Sequence, residues 1–514
     1  FSDPRTEAME IAIDELAIET DGIALALRHA RPLGVESSLT ELGTRHVLLR
    51  EDSISDGQGI RRVGILAPPL PADADQEALG ASTLRAAALS PLVGAARWTD
   101  TGAFGPFGAV AEPPPWLRSR GLDAWLGQRH TAYAKWLRSA TPDPFRAPKL
   151  GPHRKPGTAG NQADFGAAQL FEVAWSGVPS PLLETEWSVL QEACRPVHVY
   201  EVDATPVDPR NHPDWVVWTG RTHWNCKVST DRLGKPCPEP RSDTHGWRGK
   251  DREHWSSNFL GAFYQLTGAP WALLELRREG DLYLAGETLR KDLFTSNPGA
   301  ARAAGRSLHS AAWIWLATGD TRILDRMRAR MVEVNLPHWQ FADRDAGTFR
   351  PFDRKGPDRR YFPAADDAVW TPWEEALAVL GFEAYLRATE DPDVSLRDFV
   401  DDLAINLLDH GYRISPDDRV EIGYVMRFNG GIPPKNDAER ADETKVRWTP
   451  NFVHWGIPAL VVAENALIRR GQDERAQRAT LLLERLARDR RPPRAGGTDD
   501  MVRWDTRALR DRNR

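Results

Sequence analysis

The chain has 514 residues, of which 41% are hydrophobic and 27% charged, and its formal net charge is −6. At ~100–200 residues per domain this length predicts roughly two to four domains with real cores. An acidic balance argues against a general nucleic-acid binder, and no run of about 18 apolar residues is present to cross a membrane.

Tryptophan is the unusual residue, with 20 in the chain against only 8 tyrosines. Its flat apolar face and single N–H donor suit stacking on the C–H faces of sugar rings, although it also fills the cores of large helical layers. The chain opens on Phe1 and shows no signal peptide, so export is not read directly. Cys194, Cys226 and Cys237 leave the redox compartment open, and the last two lie in one Pro- and Gly-rich loop where they can pair.

Residues 1–205 read as a β-rich region with a few helices. Segments 10–14, 23–27, 46–49 and 62–66 alternate apolar and polar residues at period two, with Asp21-Gly22 and Asp56-Gly57 as turn signals. A β-sandwich or barrel-like module is predicted there. Helices are predicted near 121–138 and over 180–194, where Ser180 and Pro181 make a sound helix start. Residues 206–250 form a loop rich in Trp and His, including Trp224 and Trp247. A loop of that length is more often functional than idle. Its His223, Cys226, Cys237 and His245 match no standard zinc spacing, so no metal is expected. No phosphate-cradling glycine loop sits between a strand and a helix, so no cofactor is expected either.

Residues 251–490 change character. Four helical hairpins are predicted: 254–266 with 271–284, 301–317 with 324–334, 372–387 with 395–408, and 452–470 with 474–488. Gly or Pro marks each turn. Uneven spacing argues against a short-period solenoid and for an (α/α) toroid whose rim loops build a site. The fold class is therefore α+β multidomain: an N-terminal β-sandwich or barrel-like module, then an (α/α) toroid. Residues 491–514 read as a charged tail.

Aromatic, imidazole and charged residues recur where the outgoing helices begin: Arg252, His254 and Trp255; Arg306 and His309; Trp370, Trp373 and Glu374; and His454 with Trp455. The triplet Trp-Thr-Pro occurs twice, at 370–372 and 448–450, as a helix start with Thr to cap and Pro in the first turn. Helix starts attract anions, which favours an acidic ligand.

Two chemistries use such residues. Elimination on a uronate needs a cation on the carboxylate (Arg306 or Arg252), a base (His254, His309 or His454) and an acid (Tyr361). Hydrolysis needs two carboxylates across the scissile bond, with Asp251, Glu253, Asp366, Asp367, Glu374 and Glu375 as candidates. Trp224, Trp247, Arg252, Trp255, Trp370, Trp373 and Trp455 are the candidate substrate contacts.

This order of β-module, Trp-rich loop and helical hairpins resembles polysaccharide lyases and hydrolases that join a β-domain to an (α/α) toroid, the rhamnogalacturonan exolyase-like group above all. The likeness rests on His254-Trp255, 306–309, 370–375 and 448–455 and covers about half the chain. It implies a carbohydrate-active protein acting on an extended acidic polysaccharide by β-elimination or hydrolysis. The β-module is shorter than that group implies. The rival expectation is a non-catalytic glycan-binding or structural component of a virion, tail or cell-surface assembly. Either implies a polysaccharide or oligosaccharide partner and a secreted, extracellular or particle-associated setting, with the cytoplasm and a homo-oligomer both left open.

Overall fold

The computed structural model describes the backbone of residues 15–20, 24–28, 36–40, 43–50 and 62–66, the isolated positions 124, 127 and 131, and residues 257–286, 300–341, 351–363, 368–428 and 445–489. Predictions that fall on 206–250, on 180–202 or on the tail lie outside the described residues. So do Trp224, Trp247, Arg252, His254, Trp255, Asp366 and Asp367.

Five N-terminal strands pair in two antiparallel sheets. β1 (Glu15–Thr20), β3 (Glu36–Thr40) and β4 (Gly43–Arg50) form one, in the order β1-β4-β3. β2 (Ala24–Arg28) pairs with β5 (Arg62–Leu66), running Ala24 opposite Leu66 to Arg28 opposite Arg62. β3 escapes a sequence reading because Glu-Ser-Ser-Leu-Thr has no apolar alternation. Its place is set by pairing with β4. The predicted first strand at 10–14 lies outside the described residues, and β1 follows it directly.

The four predicted hairpins are present as helices. They are α1 (Asn258–Thr267) with α2 (Pro270–Gly286), α3 (Ala300–Thr318) with α4 (Thr321–Ala329), α6 (Pro372–Thr389) with α7 (Val394–Asn406), and α8 (Val453–Arg469) with α9 (Asp473–Asp489). Asp320 and Asp393 cap α4 and α7 by accepting the N–H of Arg322 and Ser395. Three hairpin turns use a left-handed glycine: Gly268, Gly319 and Gly471. The third turn places Glu390 there instead, at φ 50°, a conformation that side chains with a Cβ adopt at some cost.

Two features were not predicted. The returning helices α4 and α7 each end in a π-helical turn, Arg330–Asn335 and Leu407–Gly411, and the first leads into α5 (Leu336–Phe341). An antiparallel five-stranded sheet also lies among the helices of 251–490, where no strand was expected. Its strands are β6 (Arg354–Lys355), β7 (Ala368–Trp370), β8 (Tyr412–Ile414), β9 (Val420–Phe428) and β10 (Val446–Thr449). The order is β10-β9-β7-β6, with β8 also on β9. β7 runs straight into α6, and β10 leads into α8, so the sheet holds two helix starts together.

The core is one large apolar cluster that includes Trp313, Trp370, Phe382, Tyr385, Phe399 and Tyr412, each fully buried. Burying one such side chain contributes ~1.5–3 kcal/mol. At its centre α3 crosses α6 with Gly305 against Gly381; a Cβ on Gly305 would overlap the Leu377 carbonyl, and one on Gly381 the Gly305 carbonyl. Among the described residues no helix is long and apolar enough to cross a membrane.

Candidate functional site

The first turn of α6 is where the chemistry-bearing residues gather. Thr371 precedes it, Pro372 opens it and Glu374 and Glu375 lie within it. Pro at the first helical position is preorganised for the turn, and the two carboxylates sit at the positive end of the helix. The expected Thr cap is not made: the Thr371 side chain bonds to Asp353 instead. The second Trp-Thr-Pro triplet departs further from prediction. Its Trp448 and Thr449 are in β10, Thr449 Oγ1 accepts the Asn451 N–H at 3.1 Å, and α8 starts later, at Val453. Register with β9 wins there over helix propensity.

Glu375 is fully buried and organises the bend that leads into β6. Its Oε2 accepts the N–H of Phe352 at 2.8 Å, that of Asp353 at 3.0 Å and the Trp370 indole N–H at 2.7 Å. Burial outweighs these bonds and pushes its carboxyl up to about 8. His338 of α5 braces the same bend through the Phe352 carbonyl, at 3.1 Å.

Asp353, thus fixed, is also buried, and burial raises its carboxyl to about 7 even though Lys355 opposes the shift. Lys355 Nζ lies 3.3 Å from Asp353 Oδ2 and 2.8 Å from Glu374 Oε2, bridging the two acids. Burial disfavours its ammonium, but Asp353 and Glu374 together outweigh burial and raise it. The triad thus places one ammonium between two carboxyl groups, with that of Asp353 raised towards neutrality. Neighbouring carboxyl groups set to different roles by environment are what acid–base chemistry requires.

An aromatic cluster lies against these groups. Trp373 stacks on Phe452 at 4.8 Å, Trp455 at 5.2 Å and Tyr424 at 6.0 Å between centroids. The Arg302 guanidinium of α3 sits 5.2 Å from the Trp373 ring. Tyr361 OH lies 3.3 Å from Tyr424 OH, and burial followed by this bond raises the Tyr424 phenol to about 12. Tyr361 and Tyr424 are half-buried, whereas Trp373 and Trp455 are each only 6% exposed and Glu374 7%.

The structure therefore brings together Trp373, Trp455, Glu374 and, through Tyr424, Tyr361. Trp370 supports the group from below by holding Glu375. His309 is placed elsewhere: it lies two turns along α3 from Arg302, ~10 Å in rise. Its ring bonds Trp313 Nε1 at 3.3 Å and the Asn258 amide at 3.1 Å. Burial lowers it to about 3, so it is neutral and a poor base. Arg306 is buried beside the Gly305 crossing, one turn beyond Arg302. His454 falls in the first turn of α8, and its side chain lies outside the described residues.

Sequence reasoning missed Asp353, Lys355, Arg302, Tyr424 and Phe452. No strand periodicity announced the first two, because Lys355 is in β6 while Asp353 lies in the bend before it. Among the described residues no three His, Cys, Asp or Glu side chains gather to hold a metal. No protein-family model matches this chain, and no curated protein or solved structure matches it either.

Proposed function

We propose that the protein is a carbohydrate-active enzyme that cleaves an extended, acidic polysaccharide by glycosidic hydrolysis, with Asp353 and Glu374 as the working carboxyl groups. The observation that carries the reading is the Lys355 bridge, which holds two carboxyl groups together beside the Trp373 face. Asp353, raised to about 7, is matched to proton donation near neutrality. Glu374, paired to the ammonium, is the carboxylate that stabilises positive charge on the sugar or activates water. Indole stacking on the sugar and the neighbouring Arg302 suit an acidic substrate. Elimination is the weaker chemistry, because His309 is neutral and buried and the triad is carboxylate-based.

The test is a panel of acidic polysaccharides assayed for reducing ends and for ultraviolet-absorbing unsaturated products. Hydrolysis yields reducing ends without new absorbance. Glu374→Gln should lower the rate by ~100-fold or more, the scale of a lost acid–base or charge-stabilising group, in a variant whose circular dichroism at the assay temperature matches that of the folded wild type. Unsaturated products, or a Glu374→Gln enzyme as active as wild type, would overturn the assignment.

The low exposure of Trp373, Glu374 and Glu375 favours a second reading, a non-catalytic glycan-binding or structural component of an extracellular or particle assembly. Silence across the panel together with retained glycan binding would select it.

A further inference from the structure

We infer that Tyr424, supported by Tyr361, is a substrate-binding residue that donates a hydrogen bond to a hydroxyl of the sugar unit lying at Glu374. The inference rests on the carbohydrate reading above and deepens it, because it names the residue that first meets the sugar at a carboxyl pair which is itself buried.

The argument starts from register. Arg447 lies opposite Val425 and Trp448 opposite Gly423, so Tyr424 is the extra residue of a bulge in β9. On the other edge of β9, β7 pairs with 426–428 and β8 with 420–422, and neither reaches Tyr424. That gap faces the start of α6. Gly423 permits the approach: a Cβ there would lie 2.8 Å from Pro372 Cγ, in the first turn of the helix. Bulges re-aim side chains and are over-represented beside active sites. This one brings Tyr424 onto Trp373, with the two rings 9° from parallel.

The ring of Tyr424 is committed to packing, between Trp373, Phe452 and the edge of Tyr361. The stack itself needs no hydroxyl, since Phe452 fills the next place in it without one. The hydroxyl is therefore what Tyr424 has to offer a ligand. It bonds Tyr361 OH at 3.3 Å, and that single bond uses only one of the two phenolic protons. The pair thus keeps one O–H to donate. Burial, the Tyr361 bond and the Glu374 charge raise the Tyr424 phenol, so it keeps its proton throughout the neutral range. The same Glu374 charge disfavours a second carboxylate at this point, so a uronate unit would present a hydroxyl here rather than its acid. Exposure agrees. Asp353, Glu374, Trp373 and Trp455 are buried, whereas Tyr361, Tyr424 and Phe452 are half-buried and line the way in.

The experiment measures reducing-end release from polygalacturonate, alginate and hyaluronan by the full-length protein. Affinity for the same polymers is read by titration calorimetry in a Glu374→Gln background, where cleavage is arrested. The variants are Tyr424→Phe, Tyr361→Phe and the double, all of which keep their rings. Tyr424→Phe should raise KM and weaken affinity by ~10-fold, the scale of one hydrogen bond whose acceptor is left without a donor, with kcat within about twofold of wild type. Tyr361→Phe should have a smaller effect of the same kind. The double variant should be no worse than Tyr424→Phe, because the two hydroxyls act as one group. The tryptophan bands of the near-ultraviolet circular dichroism should match wild type in all three. Unchanged KM and affinity in Tyr424→Phe would overturn the inference and leave hydrolysis standing. So would a fall in kcat alone, or a loss of affinity found only together with altered tryptophan bands. If the wild type binds a polymer without cleaving it, the hydrolytic reading fails and the affinity of Tyr424→Phe decides the inference. Neither cleavage nor binding of any of the three would overturn both.

Discussion

Glu375 shows how one buried side chain couples the sheet to a helix start. Three N–H groups converge on a single carboxyl oxygen, so the acid fixes β6 and α6 together whether or not it is charged. Its folded value of about 8 exceeds its ordinary 4.5, so the folded state keeps a proton that the unfolded chain releases. Its contribution to stability is complete below pH 4.5 and is lost as pH rises through about 8, at up to ~1.4 kcal/mol per pH unit. Asp353, raised to about 7, adds to the same slope. Chemical denaturation at stepped pH should show wild-type stability falling between pH 5 and 8, an interval set by those raised values. Glu375→Gln, which keeps the neutral shape, should flatten that fall. An unchanged slope in the variant would show that Glu375 does not titrate in the fold.

Among the elements, the crossing of α3 and α6 is the tightest contact. Glycine is needed at 305 and 381 because each Cα faces the partner helix's backbone, which cannot yield as a flexible side chain would. Gly381→Ala should lower stability by ~3 kcal/mol, the upper part of the overpacking range, measured as a lowered denaturation midpoint with an unchanged slope. Helices were legible in the sequence because their apolar spacing and turn glycines act locally. Gly305 and Gly381 gave no such signal, since each reads as a weak helix residue until its partner is known. β9 was legible in principle, with Val420, Ile422, Tyr424 and Met426 alternating, but its neighbours β6, β7 and β8 are two or three residues long and exist only through pairing. The site followed the same division. Trp373, Trp455 and Glu374 lie at readable helix starts, while Asp353 and Lys355 reach them from a bend and a two-residue strand set by the backbone bonds to Glu375. His309 misled because a histidine on an aromatic-rich helix looks alike whether it faces a cleft or a core.

For the whole molecule, ion pairs at the far end of α6 balance the acids at its start. Glu383 bonds Arg387 and Arg397, both at 2.6 Å, and Asp401 bonds Arg469 at 2.7 Å, joining α6, α7 and α8. Burial pushes the Glu383 carboxyl up, but Arg397 and Arg387 outweigh it, and the group ends below its usual range. Its stabilising effect is therefore present above pH 4.5 and lost as pH falls through the lowered folded value. Glu383→Gln should cost ~3 kcal/mol at neutral pH, because two guanidinium groups lose one shared carboxylate, and the penalty should shrink in acid. Equilibrium unfolding at both pH values checks this, and a penalty independent of pH would count against the ion-pair account. Acid and alkali thus act on opposite ends of one helix. The stacked indoles of Trp373 and Trp455, at 5.2 Å and 29°, have a spectroscopic consequence. Their transition dipoles lie close enough to couple, which splits the indole circular-dichroism band into a signed pair, so the native chain carries a label-free optical reporter at the junction where sheet, helix starts and carboxyl groups meet.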